Sequence, residues 1–202
     1  LMAPWINSAL ESLQGNAAET SQLALRVGVN TGSYLLQPTF HSANVELASG
    51  QKYYEEIMLG HPFRVSSPSF FQVNTAQAER MAELVMDQLC LDGTQIVVDA
   101  YAGVATFAVL MSNRARKVFA VEESSSALAD ARVNVEGIEN IELRQGKTED
   151  ILTELASLGA NCVVLDPPRA GCMPATLDSL IESPPERIVY VSCEPETLAR
   201  DL

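Results

Sequence analysis

The sequence has few positive charges. Its 13 Lys and Arg residues are outnumbered by 26 Asp and Glu residues, which gives a formal net charge of −13. Proteins that hold nucleic acid by charge carry clustered Lys and Arg, because each neutralised phosphate releases counterions. The composition therefore argues against a chain that binds nucleic acid through a basic surface of its own.

Metal-ligand patterns and long apolar runs are also missing. The two His residues form no HExxH motif, and the four Cys residues show no CxxC spacing, so the sequence predicts no metal site. No run approaches the ~18–20 apolar residues of a membrane span. The N-terminus lacks the basic segment and apolar stretch of a signal peptide. We expect a cytoplasmic protein with reduced thiols and no membrane association.

What the sequence does contain is regular alternation of strand and helix patterns. From about residue 74, short runs rich in Val and Ile alternate with segments that have apolar residues at three- and four-residue spacing. The fold class predicted is α/β, with a doubly wound, mostly parallel sheet. The expected strands are 96–100, 117–122, 141–145, 161–166 and 187–192, and the expected helices between and before them are 74–89, 104–113, 124–136, 149–158 and 174–182.

The first 60 residues have a different character. Residues 23–29 and 33–36 read as strands around an Asn-Thr-Gly turn, and residues 53–59 as another strand. We expect residues 1–60 to form a small, partial β-rich subdomain and residues 61–202 to form the α/β domain. Because the chain starts at Leu1 and stops soon after a candidate site, it is expected to be a fragment truncated at its C-terminus.

The first predicted parallel strand leads into a candidate cofactor turn. It ends at Asp99, and Tyr101, Gly103 and Thr106 lie in the small-residue turn that opens the next helix. The next strand ends at Glu122, where a carboxylate can accept hydrogen bonds from both hydroxyls of a ribose. Dinucleotides and S-adenosylmethionine both suit this geometry. The pyrophosphate-binding GxGxxG pattern is absent, so the turn favours S-adenosylmethionine.

Two later strands end in reactive residue types. Asp166-Pro167-Pro168 follows one buried strand, and each proline fixes its own φ, which holds the Asp at the strand tip. Cys193 follows the last strand, so a thiol and a carboxylate are expected at one edge of the sheet. A buried Cys is usually inert, as is expected of Cys162 within its strand. Cys193 is either such a residue or a nucleophile, and its spacing alone does not decide.

A third segment precedes the first α/β helix. Phe70 and Phe71 are followed by Gln72, and an aromatic side chain beside an amide can stack on a base and hydrogen-bond its edge. One of the two Phe residues is expected to be a core residue instead.

Taken together, these motifs resemble the RNA (uracil-5-)-methyltransferase family. Four patterns occur in the family's order over roughly residues 53–202: Phe-Phe-Gln-Val-Asn, Asp-x-Tyr-x-Gly, Asp-Pro-Pro-Arg-x-Gly and Val-Ser-Cys-x-Pro-x-Thr-Leu-Ala-Arg-Asp-Leu. The resemblance implies S-adenosylmethionine as cofactor, rRNA or tRNA as substrate, and 5-methyluridine as product. It also implies a nucleophilic Cys193, base-holding Phe70, Gln72 and Asp166, and cofactor contacts from Gln72, Tyr101, Gly103, Thr106, Glu122 and Asp166.

Several departures from the family pattern qualify this resemblance. Members often carry Cys-Gly-x-Gly where this chain has Ala102-Gly103-Val104-Ala105, so Ala105 is expected to crowd the methionine part of the cofactor. The family's general-base Glu and its N-terminal RNA-binding barrel would lie outside this sequence, so the fragment alone could be inactive. Two alternatives stay open: a methyltransferase for another planar base, and a non-catalytic module that binds S-adenosylmethionine or RNA.

Overall fold

Five parallel strands form the centre of the protein, seen in a computed structural model that describes residues 3–16 and 20–202 and omits the side chains of residues 155 and 156. The strands lie in the order β7-β6-β5-β8-β9, and every neighbouring pair is parallel. The order reverses direction next to β5, as in doubly wound folds. The bounds are β5 (Ile96–Asp99), β6 (Lys117–Glu122), β7 (Ile141–Gln145), β8 (Cys162–Leu165) and β9 (Arg187–Tyr190).

Helices cover both faces of this sheet, because successive strand residues point to opposite sides. Val97 packs in the core formed with α2 (Thr75–Leu89), α3 (Thr106–Met111) and α4 (Ser125–Asn134). Val98 packs in a second core with Leu152 of α5 (Thr148–Leu152) and Leu180 of α7 (Pro174–Glu182). Two apolar cores on one sheet confirm the predicted α/β, doubly wound architecture.

The N-terminal part consists of helix α1 and two antiparallel hairpins, which agrees with a small β-rich unit. The elements are α1 (Pro4–Leu13), β1 (Ala24–Val27), β2 (Tyr34–Gln37), β3 (Tyr53–Met58) and β4 (His61–Ser66). Strand β1 pairs with β2, and β3 pairs with β4. The predicted division at residue 60 stays a prediction, and it passes through the turn that joins β3 to β4.

Three local features differ from the sequence-based expectations. Strand β4 was not predicted, although Phe63 and Val65 alternate inward from it. The expected helix 149–158 is two short helices, α5 and α6 (Leu155–Leu158), because the chain turns at Thr153 and Glu154. A last helix, α8 (Pro195–Asp201), follows β9 directly.

The β3–β4 hairpin is attached to the α/β part through α4. Asp130, only 2% exposed, accepts hydrogen bonds from the Ser66 backbone N–H at 2.8 Å and from the Ser69 hydroxyl at 2.7 Å. Asn134 accepts from the backbone N–H of Arg64 at 2.8 Å and donates to the Val104 carbonyl at 3.0 Å. These bonds fix the segment that carries Phe70 and Gln72 against the end of β5.

Candidate active site

The turn after β5 is held by hydrogen bonds at both of its sides. The Ala102 N–H donates to the carbonyl of Val121 at 2.9 Å, and the Gly103 N–H donates to Oε2 of Glu122 at 2.7 Å. Ala105 has a φ of 68°, in the left-handed region that favours Gly, and it immediately precedes α3. Helix α3 therefore begins at Thr106, two residues later than the sequence predicted.

Ala105 has a positive φ, which Gly adopts without a steric cost and which other residues rarely adopt. The Ala105 side chain is fully buried in the core shared with α2 and α3. It does not line either cavity beside the turn. The structure therefore gives no support to the expectation that Ala105 crowds a bound cofactor.

Asp99, at the end of β5, is completely buried beneath this turn. One of its oxygens, Oδ2, accepts from the Ala108 N–H at 3.0 Å, whereas Oδ1 has no hydrogen-bond partner among the described residues. Burial raises the pKa of Asp99 to about 7, and the nearby carboxylates of Asp166 and Glu122 act in the same direction. The sequence singled out Asp99 only as a strand end and gave no sign of this environment.

Glu122 stands at the end of β6 as predicted. Its two oxygens accept from the backbone N–H groups of Gly103 and Ser124, each at 2.7 Å. A carboxylate oxygen can accept more than one hydrogen bond, so both can also receive a hydroxyl donor. Glu122 lines an outer cavity of about 400 Å³ together with Tyr101, Thr148 and Pro168. This volume lies within the range of small-molecule sites.

Tyr101 separates this outer cavity from an inner one, because its side chain lines both. Its hydroxyl is buried beside Thr176 and Cys172, without a hydrogen bond of normal geometry among the described residues. Burial raises the pKa of Tyr101 to about 12, so the phenol stays neutral. A buried polar atom that lacks a partner is a place where a ligand can donate or accept.

The inner cavity is small, about 60 Å³, and brings most of the predicted site residues together. Phe70 and Gln72 approach it from the segment before α2, and Asp166 approaches from the end of β8. The predicted residues that line it are Phe70, Gln72, Tyr101, Gly103, Thr106 and Asp166. Their grouping agrees with a shared site, while the role of each residue stays a prediction.

The two Phe residues of the first motif have opposite environments. Phe71 is buried and packs on Phe63, with ring centroids 5.7 Å apart, so it is the core residue of the pair. Phe70 is 70% exposed, which leaves its ring available for stacking. The adjoining Ser69 is fixed by Asp130 and by Arg26, whose Nη1 donates to the Ser69 carbonyl at 2.5 Å.

Asp166 leads into a loop that α8 holds in place. The Arg200 side chain donates to the Ala170 carbonyl at 2.8 Å, and Oδ2 of Asp201 accepts from the Cys172 N–H at 2.9 Å. Burial raises the pKa of Asp166 to about 6. The helix that follows Cys193 thus positions the loop that follows Asp166, a link that sequence spacing could not show.

Cys193 lies at the same edge of the sheet as Asp166. Strands β8 and β9 are parallel neighbours with Leu165 opposite Tyr190, so the two chains leave the sheet side by side. Cys193 is exposed, and the Ser192 hydroxyl accepts from the Glu194 N–H at 3.1 Å to fix its turn. The thiol does not line the inner cavity. Cys193 therefore lies outside this cavity, at the sheet edge that it shares with Asp166.

The other thiols differ in exposure. Cys162 and Cys172 are buried, and burial raises the pKa of each thiol. Cys90 is exposed, but its Sγ donates to the Asp87 carbonyl, with 3.1 Å between the sulfur and the oxygen. Cys162 is thus buried within its strand, as the sequence predicted, and only Cys90 resembles Cys193 in exposure.

The residues of the two cavities fit S-adenosylmethionine. Glu122 is placed for a ribose, Tyr101 lines both cavities, and Asp166 lines the inner one. No group of three His, Cys, Asp or Glu side chains able to hold a metal ion occurs within residues 3–16 and 20–202. None of the helices described is both long and apolar enough to cross a membrane.

Solved structures with a similar fold include RNA methyltransferases. The chain superposes on the tRNA (uracil-54, C5)-methyltransferase of Pyrococcus abyssi, solved with S-adenosyl-L-homocysteine, with a TM-score of 0.73, 24% identity and coverage of 96% of this chain and 58% of that one. A tRNA m1G37 methyltransferase of M. jannaschii gives a TM-score of 0.52 at 17% identity, covering 73% and 41%. These likenesses show a Rossmann-like methyltransferase fold.

Curated relatives are more similar to this chain in sequence than these solved structures are. An uncharacterised RNA methyltransferase of Gloeobacter violaceus is 36% identical over 98% of this chain and 42% of its own length. One from Clostridium acetobutylicum is 41% identical over 76% of this chain and 34% of its own. The chain thus spans less than half the length of these relatives.

The family model for tRNA (uracil-5-)-methyltransferases matches residues 57–202. The chain therefore belongs to this family, whose cofactor is S-adenosylmethionine, as the sequence predicted.

Proposed function

We propose that this chain is the catalytic part of an enzyme that methylates carbon 5 of a uridine in rRNA or tRNA, through a covalent bond between Cys193 and the uracil ring. The observation that carries the proposal is the convergence at one sheet edge of an exposed thiol, a half-buried carboxylate and an exposed aromatic ring. These are Cys193, Asp166 and Phe70. Membership of the uracil-5 family supports the reaction type.

Tyr101, Gly103, Thr106 and Glu122 would hold the cofactor along the two cavities beside the turn after β5. Glu122 is fixed by two backbone N–H donors, so its free lone pairs are already oriented for a ribose. S-adenosylmethionine supplies an electrophilic methyl group when bound. The neutral Tyr101 phenol and the Asp166 carboxyl would border the reacting end.

The target uracil would stack on Phe70, with Gln72 and Asp166 as hydrogen-bond partners for its edge. Gln72 can donate and accept, which suits a ring that carries both carbonyl and N–H groups. The half-buried Asp166, with its pKa raised to about 6, ionises at neutral pH and accepts from a ring N–H. A uridine within folded RNA must first be splayed out of its helix to enter such a site.

Carbon 5 of uracil is too weak a nucleophile to take up a methyl group unaided. The Cys193 thiol loses its proton to solvent. The resulting thiolate adds to carbon 6 and forms an S–C6 bond, while the electrons of the C5–C6 double bond move into an enolate. Carbon 5 would then form a bond to the methyl group, whose bond to the sulfonium sulfur breaks, with S-adenosylhomocysteine as the second product. A base removes the proton from carbon 5, the double bond re-forms and Cys193 leaves as a thiolate.

The net charge of −13 is compatible with this proposal if basic RNA-binding surface lies in another part of the protein, such as the N-terminal domain expected from the family resemblance. RNA is accordingly the proposed partner. The cytoplasmic location expected from the composition stays a prediction.

The product of the reaction tests the proposal. Unmodified rRNA and tRNA transcripts are incubated at low salt with the full-length protein and with S-adenosylmethionine labelled in its methyl group, and the RNA is then digested to nucleosides. The proposal expects label in 5-methyluridine. Label only in 5-methylcytidine or another nucleoside would support the alternative of a different planar base. Binding of RNA and cofactor with no label transferred by the full-length protein would support a non-catalytic module.

A further inference from the structure

A third cavity adjoins the inner one and is not explained by the cofactor or by the target uracil. Its volume is about 330 Å³, and it lies between α1, the first hairpin and the segment before α2. Gln72 lines this cavity and the inner cavity alike. The two spaces are therefore separated by a wall that includes a single shared side chain.

The walls of this third cavity are suited to a flat ring. Its apolar side is formed by residues of α1 and β1 and by the ring of Tyr54, which is otherwise buried. Its polar side offers Arg26, Gln72 and Asn74. Guanidinium groups stack on bases, and amide side chains hydrogen-bond their edges. Apolar faces and a few polar groups are the usual lining of a small-ligand pocket.

The charges of the cavity favour an uncharged ring over a phosphate. Glu56, only 1% exposed, lines it and accepts from the backbone N–H groups of Val29 and Asn30 and from the Thr75 hydroxyl at 2.6–3.0 Å. This carboxylate is fully supplied with donors and would repel an anion. Arg26, the other charged residue of the lining, forms no ion pair within residues 3–16 and 20–202. The lining therefore carries one charge of each sign and no net positive charge.

We propose that this cavity binds the base of the nucleotide next to the target uridine in the RNA chain. The inference rests on the proposed function, because the inner cavity must hold the target. Its geometric support is twofold. Gln72 lines both cavities. Arg26 lines the third cavity and donates a hydrogen bond to the carbonyl of Ser69, which directly precedes Phe70 of the inner cavity. Holding the neighbour's base would fix the target's backbone and help keep the target out of its stack.

Binding of short RNAs tests the assignment. The pentanucleotide 5′-AAUAA-3′ is compared at low salt with one that has abasic sites on both sides of the uridine and with one that has an abasic site in place of the uridine. The variant Val29→Trp fills the third cavity from a side chain that is 56% exposed. The matched control is Leu84→Trp, at a half-exposed position of α2 outside the cavities.

Loss of the flanking bases should weaken binding to the wild-type chain and to Leu84→Trp about tenfold or more, the scale of one base–aromatic stacking contact. Val29→Trp should bind the intact pentanucleotide as weakly as the wild type binds the flank-abasic one, with no further loss on that RNA. Equal affinity of wild type and Val29→Trp for the intact RNA would overturn the inference. If the abasic site at the central position changes nothing, the proposed function fails instead.

Photocrosslinking gives a second measurement that needs no variant. With 8-azidoadenosine next to the uridine, the wild-type chain should be labelled within residues 25–29 or 72–74. Labelling confined to other peptides would overturn the assignment.

Discussion

The Asp130 carboxylate, on α4, accepts a hydrogen bond from the Ser69 hydroxyl at 2.7 Å, across 61 residues of sequence. The next residue after Ser69 is Phe70, whose exposed ring is the proposed stacking surface for the target base. A buried carboxylate on the sheet-covering helix α4 thus fixes the start of the segment that is proposed to bind substrate. This contact makes the stability of the fold and the shape of the site depend on one side chain.

Replacing Asp130 with Asn should therefore cost both stability and RNA binding. Asn has one acceptor oxygen, so it cannot serve both the Ser66 and Ser69 donors, which bond Oδ2, and the Arg64 guanidinium, which bonds Oδ1. Loss of a hydrogen bond to a charged group costs roughly 1.5–3 kcal/mol. Urea unfolding gives the stability, and pentanucleotide binding gives the affinity. The control is Asp87→Asn, at an exposed position of α2, which should change neither. Wild-type RNA affinity in a destabilised Asp130→Asn chain would show that this contact does not shape the site.

Glu122→Gln should weaken S-adenosylhomocysteine binding about tenfold or more. The amide has one acceptor atom where the carboxylate has two, and a hydrogen bond to a charged group is worth roughly 1.5–3 kcal/mol. Calorimetric titration measures the affinity, and thermal melting reports any loss of the bonds to Gly103 and Ser124. The exposed Glu139→Gln is the matched control. Unchanged affinity in Glu122→Gln would remove Glu122 from the cofactor site.

Asp99 should make the protein less stable as the pH rises from about 4 to about 7. Its pKa in the folded state is raised from 3.8 to about 7 by burial, so in this window the folded chain holds a proton that the unfolded chain has lost. The free energy of unfolding then falls by at most about 1.4 kcal/mol per pH unit from this group. Asp166, whose pKa is raised to about 6, adds a change of the same sign.

Urea unfolding of wild type and Asp99→Asn across this pH range isolates the contribution of Asp99. Asn keeps an acceptor for the Ala108 N–H and does not titrate. The free energy of unfolding of wild type should fall relative to the variant as the pH rises. Two curves that stay parallel from pH 4 to pH 8 would mean that Asp99 does not hold its proton in the folded chain.

Limited alkylation should label Cys193 first, Cys90 next, and Cys162 and Cys172 last. The last two are buried. The Cys90 thiol is engaged in a hydrogen bond to the Asp87 carbonyl oxygen, whereas no hydrogen bond from the Cys193 thiol occurs among the described residues. Iodoacetamide labelling with peptide mass mapping gives the order. Labelling of Cys90 ahead of Cys193 in the ligand-free chain would weaken the nucleophile assignment.

The sheet could be predicted because its information is local. Runs such as Cys162–Leu165 are continuous and apolar, so they are recognisable without knowledge of their neighbours. Strand β4 was missed because only two of its residues, Phe63 and Val65, are buried and because Pro62 is unfavourable in a strand interior. The pattern becomes meaningful only when β4 is paired with β3. The break between α5 and α6 could not be predicted, because the two residues at the turn, Thr153 and Glu154, include no Gly or Pro.

The site was predictable where its residues belong to a local motif, such as a strand end or the Phe-Phe-Gln segment before α2. Glu122 and Asp166 could be placed from strand patterns, since parallel strands end at a common edge. Asp130 could not, because its partners lie more than 60 residues away and nothing in the local pattern of α4 separates it from a solvent-facing carboxylate. Arg26 is missed for the same reason: the third cavity exists only once α1, β1 and the Phe70 segment are packed together.

The proposal that Cys193 attacks carbon 6 of uracil is tested most directly with RNA that contains 5-fluorouridine. Fluorine at carbon 5 cannot be removed as a proton, so the covalent adduct should persist after methyl transfer. We predict a denaturation-resistant protein–RNA adduct that requires S-adenosylmethionine, forms with the Cys90→Ser control and is absent with Cys193→Ser. An adduct that survives in Cys193→Ser, or none in a wild-type chain that binds both ligands, would contradict the account.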